Sequence, residues 1–200
     1  MAQFSFMSPD KFLYPAVFHD GQAYFFERSD THTGSYFGGP FEGAITGLKQ
    51  GSYPLHHVAT LNGHCFEPLW YVIGGSTLNL LYGIRYDGCR LKYKSSAAGV
   101  EVLEMTPGAS ALDWPYADYP RYLPYFPLRL QQRSKCSLAE FLELSCQPVN
   151  LATSEVLVLI PPSPVLSMSL WGPSGDAENT QIIFRCDLAN RTVETYNQCG

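Results

Sequence analysis

The stretch "HHVATLNGHC" gathers His56, His57, His64 and Cys65 within ten residues. Imidazole nitrogens and thiolate sulfur are good zinc ligands. A thiolate activated by an imidazole is also a nucleophile. Spacing limits both ideas. Neighbouring residues on a strand point to opposite faces, so His56 and His57 cannot both serve one site. The set that remains is His57, His64 and Cys65. No Cys-x-x-Cys or His-Glu-x-x-His pattern accompanies it. The favoured reading is a strand carrying surface and core histidines, with Cys65 a buried thiol. A metal or small-ligand pocket around residues 56–65 is the alternative.

A second concentration is "TPGASALDWPYADYPRYLPYFP", Thr106 to Pro127, with five prolines. Prolines at this density exclude helix and central strand. Asp113 and Asp118, with Glu104 nearby, could in principle do acid–base work on sugars. An acidic aromatic loop is more naturally a binding surface, because Trp and Tyr are enriched at interface hot spots. The candidate binding residues are Asp113, Trp114, Tyr116, Asp118 and Tyr119. The alternative is that Trp114, Tyr116, Tyr119 and Tyr122 cap the sheet, since long loops need side chains to hold them down. No nucleophile elbow, phosphate loop or dinucleotide fingerprint is present. No catalytic residue and no cofactor is therefore assigned.

Period-two patterning dominates the elements that must position these residues. "FLYPAVFHDGQAYFFER" sets two aromatic runs around Asp20-Gly21, the signature of a tight hairpin. "TLNLLYGIRYDGCRLKYK" repeats the pattern around Asp87-Gly88. It predicts a second hairpin with a wet, basic face of Arg90, Lys92 and Lys94. "GVEVLEM" extends that meander. "SDTHTGSYFGGPFEGAITG" reads as a long irregular loop. "YPLHHVATLN", "PLWYVIGG", "SEVLVLIPP" and "VLSMSLWG" read as strands. The closing "TQIIFRCDLANRTVETYNQC" reads as a terminal hairpin turning at Ala189-Asn190, with Asn in the left-handed conformation. Ser137 and Glu140 form a capping box at the start of one clear helix near 137–146. The fold class is mostly β (α+β), with antiparallel sheets built from hairpins and meanders. The 200 residues form a single globular domain, 1–200. A loose echo between the second hairpin and the last admits two similar halves.

Charge narrows the partners. The formal net charge is −5, only 16% of residues are charged, and the densest basic run is "RLKYK". Nucleic acid is excluded, because phosphate binding needs a basic footprint. A basic protein partner fits the balance. No window is apolar enough to span a membrane, and "MAQFSFMSPDKF" lacks the features of an export signal. The expected location is the cytoplasm, with all six cysteines reduced.

Three segments resemble the YwqG-like family of bacterial cytoplasmic proteins. "SLWGPSGDAENTQIIFRCDLANRTVETYNQC" resembles that family's closing Trp-Gly, aromatic strand, Asp-Leu and Gln-Cys. These elements fall here at Trp171-Gly172, Ile182-Ile183-Phe184, Asp187-Leu188 and Gln198-Cys199. "SYFGGPFEG" (Ser35–Gly43) is similar to its Gly-Gly-Pro segment, and "LNLLYG" to an aromatic strand. The family's Trp-Pro pair and Leu-Leu-Gln strand have no counterpart here. The resemblance implies a mostly β fold, no catalytic residues, and a role as an immunity or partner protein beside bacterial toxins and effectors.

Overall fold

The computed structural model describes residues 13–48, 54–63, 77–86, 88–96, 98–106, 118–144, 155–161, 170 and 181–198. Among these described residues twelve strands form one sheet. They are β1 (Ala16–His19), β2 (Gln22–Arg28), β3 (Ser35–Phe37), β4 (Ala44–Thr46), β5 (His56–Asn62), β6 (Thr77–Tyr82), β7 (Arg90–Ser96), β8 (Gly99–Thr106), β9 (Phe126–Lys135), β10 (Glu155–Ile160), β11 (Gln181–Asp187) and β12 (Thr192–Gln198). Their spatial order is β4-β8-β7-β12-β11-β10-β1-β2-β9-β3-β5-β6. All pairings are antiparallel except β4 with β8. Among the described residues no helix is long and apolar enough to cross a membrane.

Register sorts the side chains onto two faces. Tyr24, Val17, Val158, Phe184, Thr195 and Leu91 stand opposite one another across six strands. All except Thr195 belong to the larger apolar core. One residue along, Phe25, Ala16, Leu159, Ile183 and Tyr196 form the opposite row. That face is covered by the single described helix, α1 (Leu138–Leu142), through fully buried Phe141. Strands buried on both faces lose the apolar–polar alternation, which explains the continuous run in "EVLVLI".

The sheet rolls until its β6 end meets β7. The Tyr93 hydroxyl accepts from Leu81 N (3.0 Å) and donates to Asn79 O (2.9 Å). One oxygen thereby satisfies two backbone groups on β6 that would otherwise face the core.

The Asp20-Gly21 hairpin forms as expected, with φ of 46° and 71° at its two turn residues. The terminal β11–β12 hairpin also forms, and Ile183 and Phe184 are fully buried. Its left-handed residue is Arg191 (φ 55°) rather than Asn190. The Asp187 carboxylate accepts from both the backbone and the side chain of Asn190, which holds Asn190 inside the turn and leaves the left-handed position one residue later. The expected hairpin at Asp87-Gly88 does not form. β6 pairs with β5, while β7 pairs with β12 and β8. A separate turn, Tyr86 N to Gly83 O, lengthens the connection beyond a two-residue hairpin. β6 is buried from Leu78 to Tyr82 and cannot offer one wet face. The hairpin-to-hairpin echo loses one of its members accordingly.

Lys92 and its neighbours do point outward, but the face is not basic. Lys92 pairs with Glu194 (2.8 Å), and Arg185 bridges Glu194 (3.7 Å) and Glu155 (3.1 Å). Acidic strands set beside a basic one neutralise it.

The Ser29–Gly47 segment, expected as a loop, holds the short strands β3 and β4. β9 is the longest strand and was not expected. Beyond Phe126 and Leu128 its residues are largely polar, so its apolar periodicity is weak, and β2 and β3 supply the pairing. The helix has its capping box, with Ser137 N donating to Glu140 Oε2 (2.6 Å) and Glu140 N to Ser137 Oγ (3.2 Å). It is shorter than the expected 137–146. "PLWYVIGG" lies outside the described residues, as does "VLSMSLWG" apart from buried Leu170.

Candidate functional site

His56 and His57 adjoin a bulge in β5, just before Ala59. Both are buried, and their partners lie in different directions. His57 Nδ1 donates to Gly38 O (2.8 Å), and its Nε2 meets Thr60 Oγ1 (2.8 Å), which contacts Asn79 Oδ1 (2.9 Å). The Phe41 ring stacks on His57 at 5.7 Å, and Tyr36 lies 5.2 Å away. His56 instead donates from Nε2 to Pro120 O (3.0 Å), with the Tyr119 ring edge-on at 5.2 Å. Burial lowers both imidazole pKa values below the ordinary 6.5.

Each histidine thus fastens a loop. His57 holds the β3–β4 connection, and His56 holds the loop that enters β9. The two loops also grip each other. Gly39 N donates to Leu123 O (2.9 Å), and Gly38 N to Val58 O (2.9 Å). Gly38 and Gly39 have φ of +63° and +76°. A Cβ at Gly38 would overlap the Pro124 carbonyl oxygen. Two loops cross at Gly38 with no room for a side chain, and Gly39 takes a second left-handed conformation beside the Tyr125 ring.

The fastened loop, 118–125, buries Tyr119 and Leu123 and turns Tyr122 (47% exposed) and Tyr125 (50% exposed) outward. Arg121 lies over the Tyr122 ring at 5.2 Å. Tyr125 packs beside Tyr36 at 5.5 Å, and His32 flanks Tyr36 at 6.4 Å. The result is an exposed aromatic surface on a backbone pinned from beneath.

Asp118 is exposed at the start of this loop, whereas Tyr119 is buried against His56 and anchors the loop from below. Tyr119 therefore behaves as the cap that the sequence offered as an alternative. Asp113, Trp114 and Tyr116 lie outside the described residues, as do His64 and Cys65. Both ring nitrogens of His57 are taken by protein partners, so this arrangement leaves no lone pair for a metal ion. Among the described residues no three His, Cys, Asp or Glu side chains gather closely enough to hold one. A small apolar dent lined by Tyr14, Phe37, Phe126 and Ile160 holds about 10 Å³, the room of a single water. Tyr36 and Tyr125 escaped sequence reading. The one available signal was "YFGGP", whose paired glycines mark a close backbone approach.

The thiols Cys89, Cys136 and Cys186 are free and buried. Burial pushes Cys89 and Cys136 up to about 11 and Cys186 higher still, so none presents a thiolate near neutrality. Brief alkylation of the native protein at neutral pH should leave these three unlabelled, and denaturation should expose all three to the reagent. Peptide mapping checks this. Fast native labelling of any of the three would contradict their buried placement.

No protein-family model, curated protein or solved structure matches this chain.

Proposed function

We propose that the protein is a non-enzymatic protein-binding protein, acting in a bacterial cytoplasm as an immunity or effector partner. Its contact surface is the aromatic loop 118–125 with Tyr36 beside it. The observation that carries this reading is the pair Tyr122 and Tyr125, half exposed on a loop fastened at Pro120 and Leu123 and passing close over Gly38 at Pro124. Large rings ordinarily seek burial. Two held outward on a rigid backbone offer contact area with little ordering entropy lost on binding. The segments that carry the rings also hold exposed Asp30, Glu42 and Asp118 against Arg121, within a chain of net charge −5. This favours a basic partner surface, whose Arg or Lys would pair with the carboxylates and stack on the rings. The immunity or effector-partner role rests on the resemblance to YwqG-like proteins.

The test starts from a purified partner, either the product of a neighbouring gene or a protein identified by cross-linking from position 122. Tyr122→Ala and Tyr125→Ala should each weaken its binding about 30-fold, or about 2 kcal/mol, with the unfolding midpoint unchanged. Asp118→Asn should mainly slow association, and more so at low salt. An affinity indifferent to all three changes would assign the loop a purely structural role.

A further inference from the structure

His56 and His57 differ in what a second proton would do to them. The difference follows from counting donors and acceptors. A backbone carbonyl can only accept, so His57 carries a proton on Nδ1 toward Gly38 O and His56 carries one on Nε2 toward Pro120 O. A second proton on His57 would sit on Nε2 and donate to Thr60 Oγ1, while Thr60 donates to Asn79 Oδ1. His57 can charge without losing a hydrogen bond. His56 cannot. Its Nδ1 is buried with no hydrogen-bond partner, in a residue only 4% exposed. The groups facing it are Arg85 from the β6–β7 connection, Tyr119 from the loop, and Tyr82 opposite it on β6. Tyr36 and His32 lie beyond His57. Among the described residues no carboxylate pairs with either histidine. A proton on His56 Nδ1 would therefore be a buried charge with no acceptor and with a guanidinium nearby.

We propose that His56 is a proton-sensitive latch, which holds the aromatic loop in place at neutral pH and lets it go in mildly acidic surroundings. Released to water, the imidazole takes its second proton freely. The latched state binds fewer protons than the open one, so acid favours opening. The direction agrees with burial, and secondarily Arg85, lowering the His56 pKa from 6.5. Latching is unaffected by pH well above 6.5. It is lost as the pH falls from there toward the lowered value. Each pH unit in that window raises the opening equilibrium about tenfold. The latch acts on the surface assigned above to partner binding, and it rests on that reading only for its biological use. Its test needs no partner and can fail by itself.

The experiment is backbone amide exchange of the full chain, followed by NMR between about pH 8 and about pH 5 and corrected for intrinsic rates. The Gly39 amide, bonded to Leu123 O, reports the latch. The β10–β11 amides report global unfolding. Gly39 protection should fall about tenfold per pH unit below about 6.5, while the β10–β11 amides stay protected. In His56→Gln, whose amide can still donate to Pro120 O but does not titrate, Gly39 protection should fall less steeply with acid than in the wild type, the remainder coming from His57, whose pKa burial also lowers. Equal acid dependence in wild type and variant would overturn the proposal, as would parallel loss in β10–β11. The wild-type His56 ring signal gives a check that needs no variant. A midpoint at or above 6.5 with Gly39 still protected would also overturn it.

Discussion

Tyr93→Phe should cost about 2–6 kcal/mol of unfolding free energy, a large loss for one oxygen atom. The hydroxyl stands between Leu81 N and Asn79 O, and both groups are left buried without a partner when it goes. Each orphaned group costs about 1–3 kcal/mol, because desolvation is no longer offset. The ring itself stays, so no cavity adds to the loss. Tyr82→Phe is the matched comparison. Its hydroxyl donates to Cys89 O (3.0 Å), one backbone group where Tyr93 serves two, and the loss should be about 1–3 kcal/mol. Urea unfolding of both variants measures the difference. Equal losses would show that Tyr93 does not close the sheet onto β6.

Gly38→Ala carries the second large effect, about 2–5 kcal/mol. About 1–2 kcal/mol comes from forcing a left-handed conformation on alanine. The rest, about 1–3 kcal/mol, comes from overlap with the Pro124 carbonyl, which belongs to the backbone of a fastened loop and cannot swing aside. Gly88→Ala separates the two contributions. Gly88 has a similar φ of +65°, and nothing lies within 4 Å of its added Cβ, so only the conformational cost applies. A Gly38 variant no worse than the Gly88 variant would mean that the two loops can part at no cost. In the proposed function, Gly38→Ala should also displace Tyr122 and Tyr125 and lose partner binding together with stability.

Local chemistry explains which parts of this molecule could be read from its residues. Asp20-Gly21 supplies the two positive φ values of a tight turn, and Ser137 with Glu140 caps a helix, whatever surrounds them. The apolar runs of β5, β6, β10 and β11 announce strands because only pairing satisfies their backbone when their side chains are buried. The opposed directions of His56 and His57 also follow from strand geometry, before any partner is known.

Pairing between distant strands could not be read in this way. The pattern around Asp87-Gly88 is as good a hairpin signal as that around Asp20-Gly21, yet β6 and β7 go to different places in the sheet. Which ladder forms depends on which faces need covering, and that is a property of the whole sheet. β9 shows the converse, a strand of largely polar residues made by its neighbours β2 and β3. The candidate surface belongs to this second kind. Its rings come from β3 and from the loop before β9, some ninety residues apart in sequence. The sequence by itself determined the turns, the cap and the β character, because these depend on neighbouring residues. Only the tertiary structure decided that Tyr36 meets Tyr125, that Gly38 lies under Pro124 and that His56 reaches Pro120, because those contacts arise where remote segments cross.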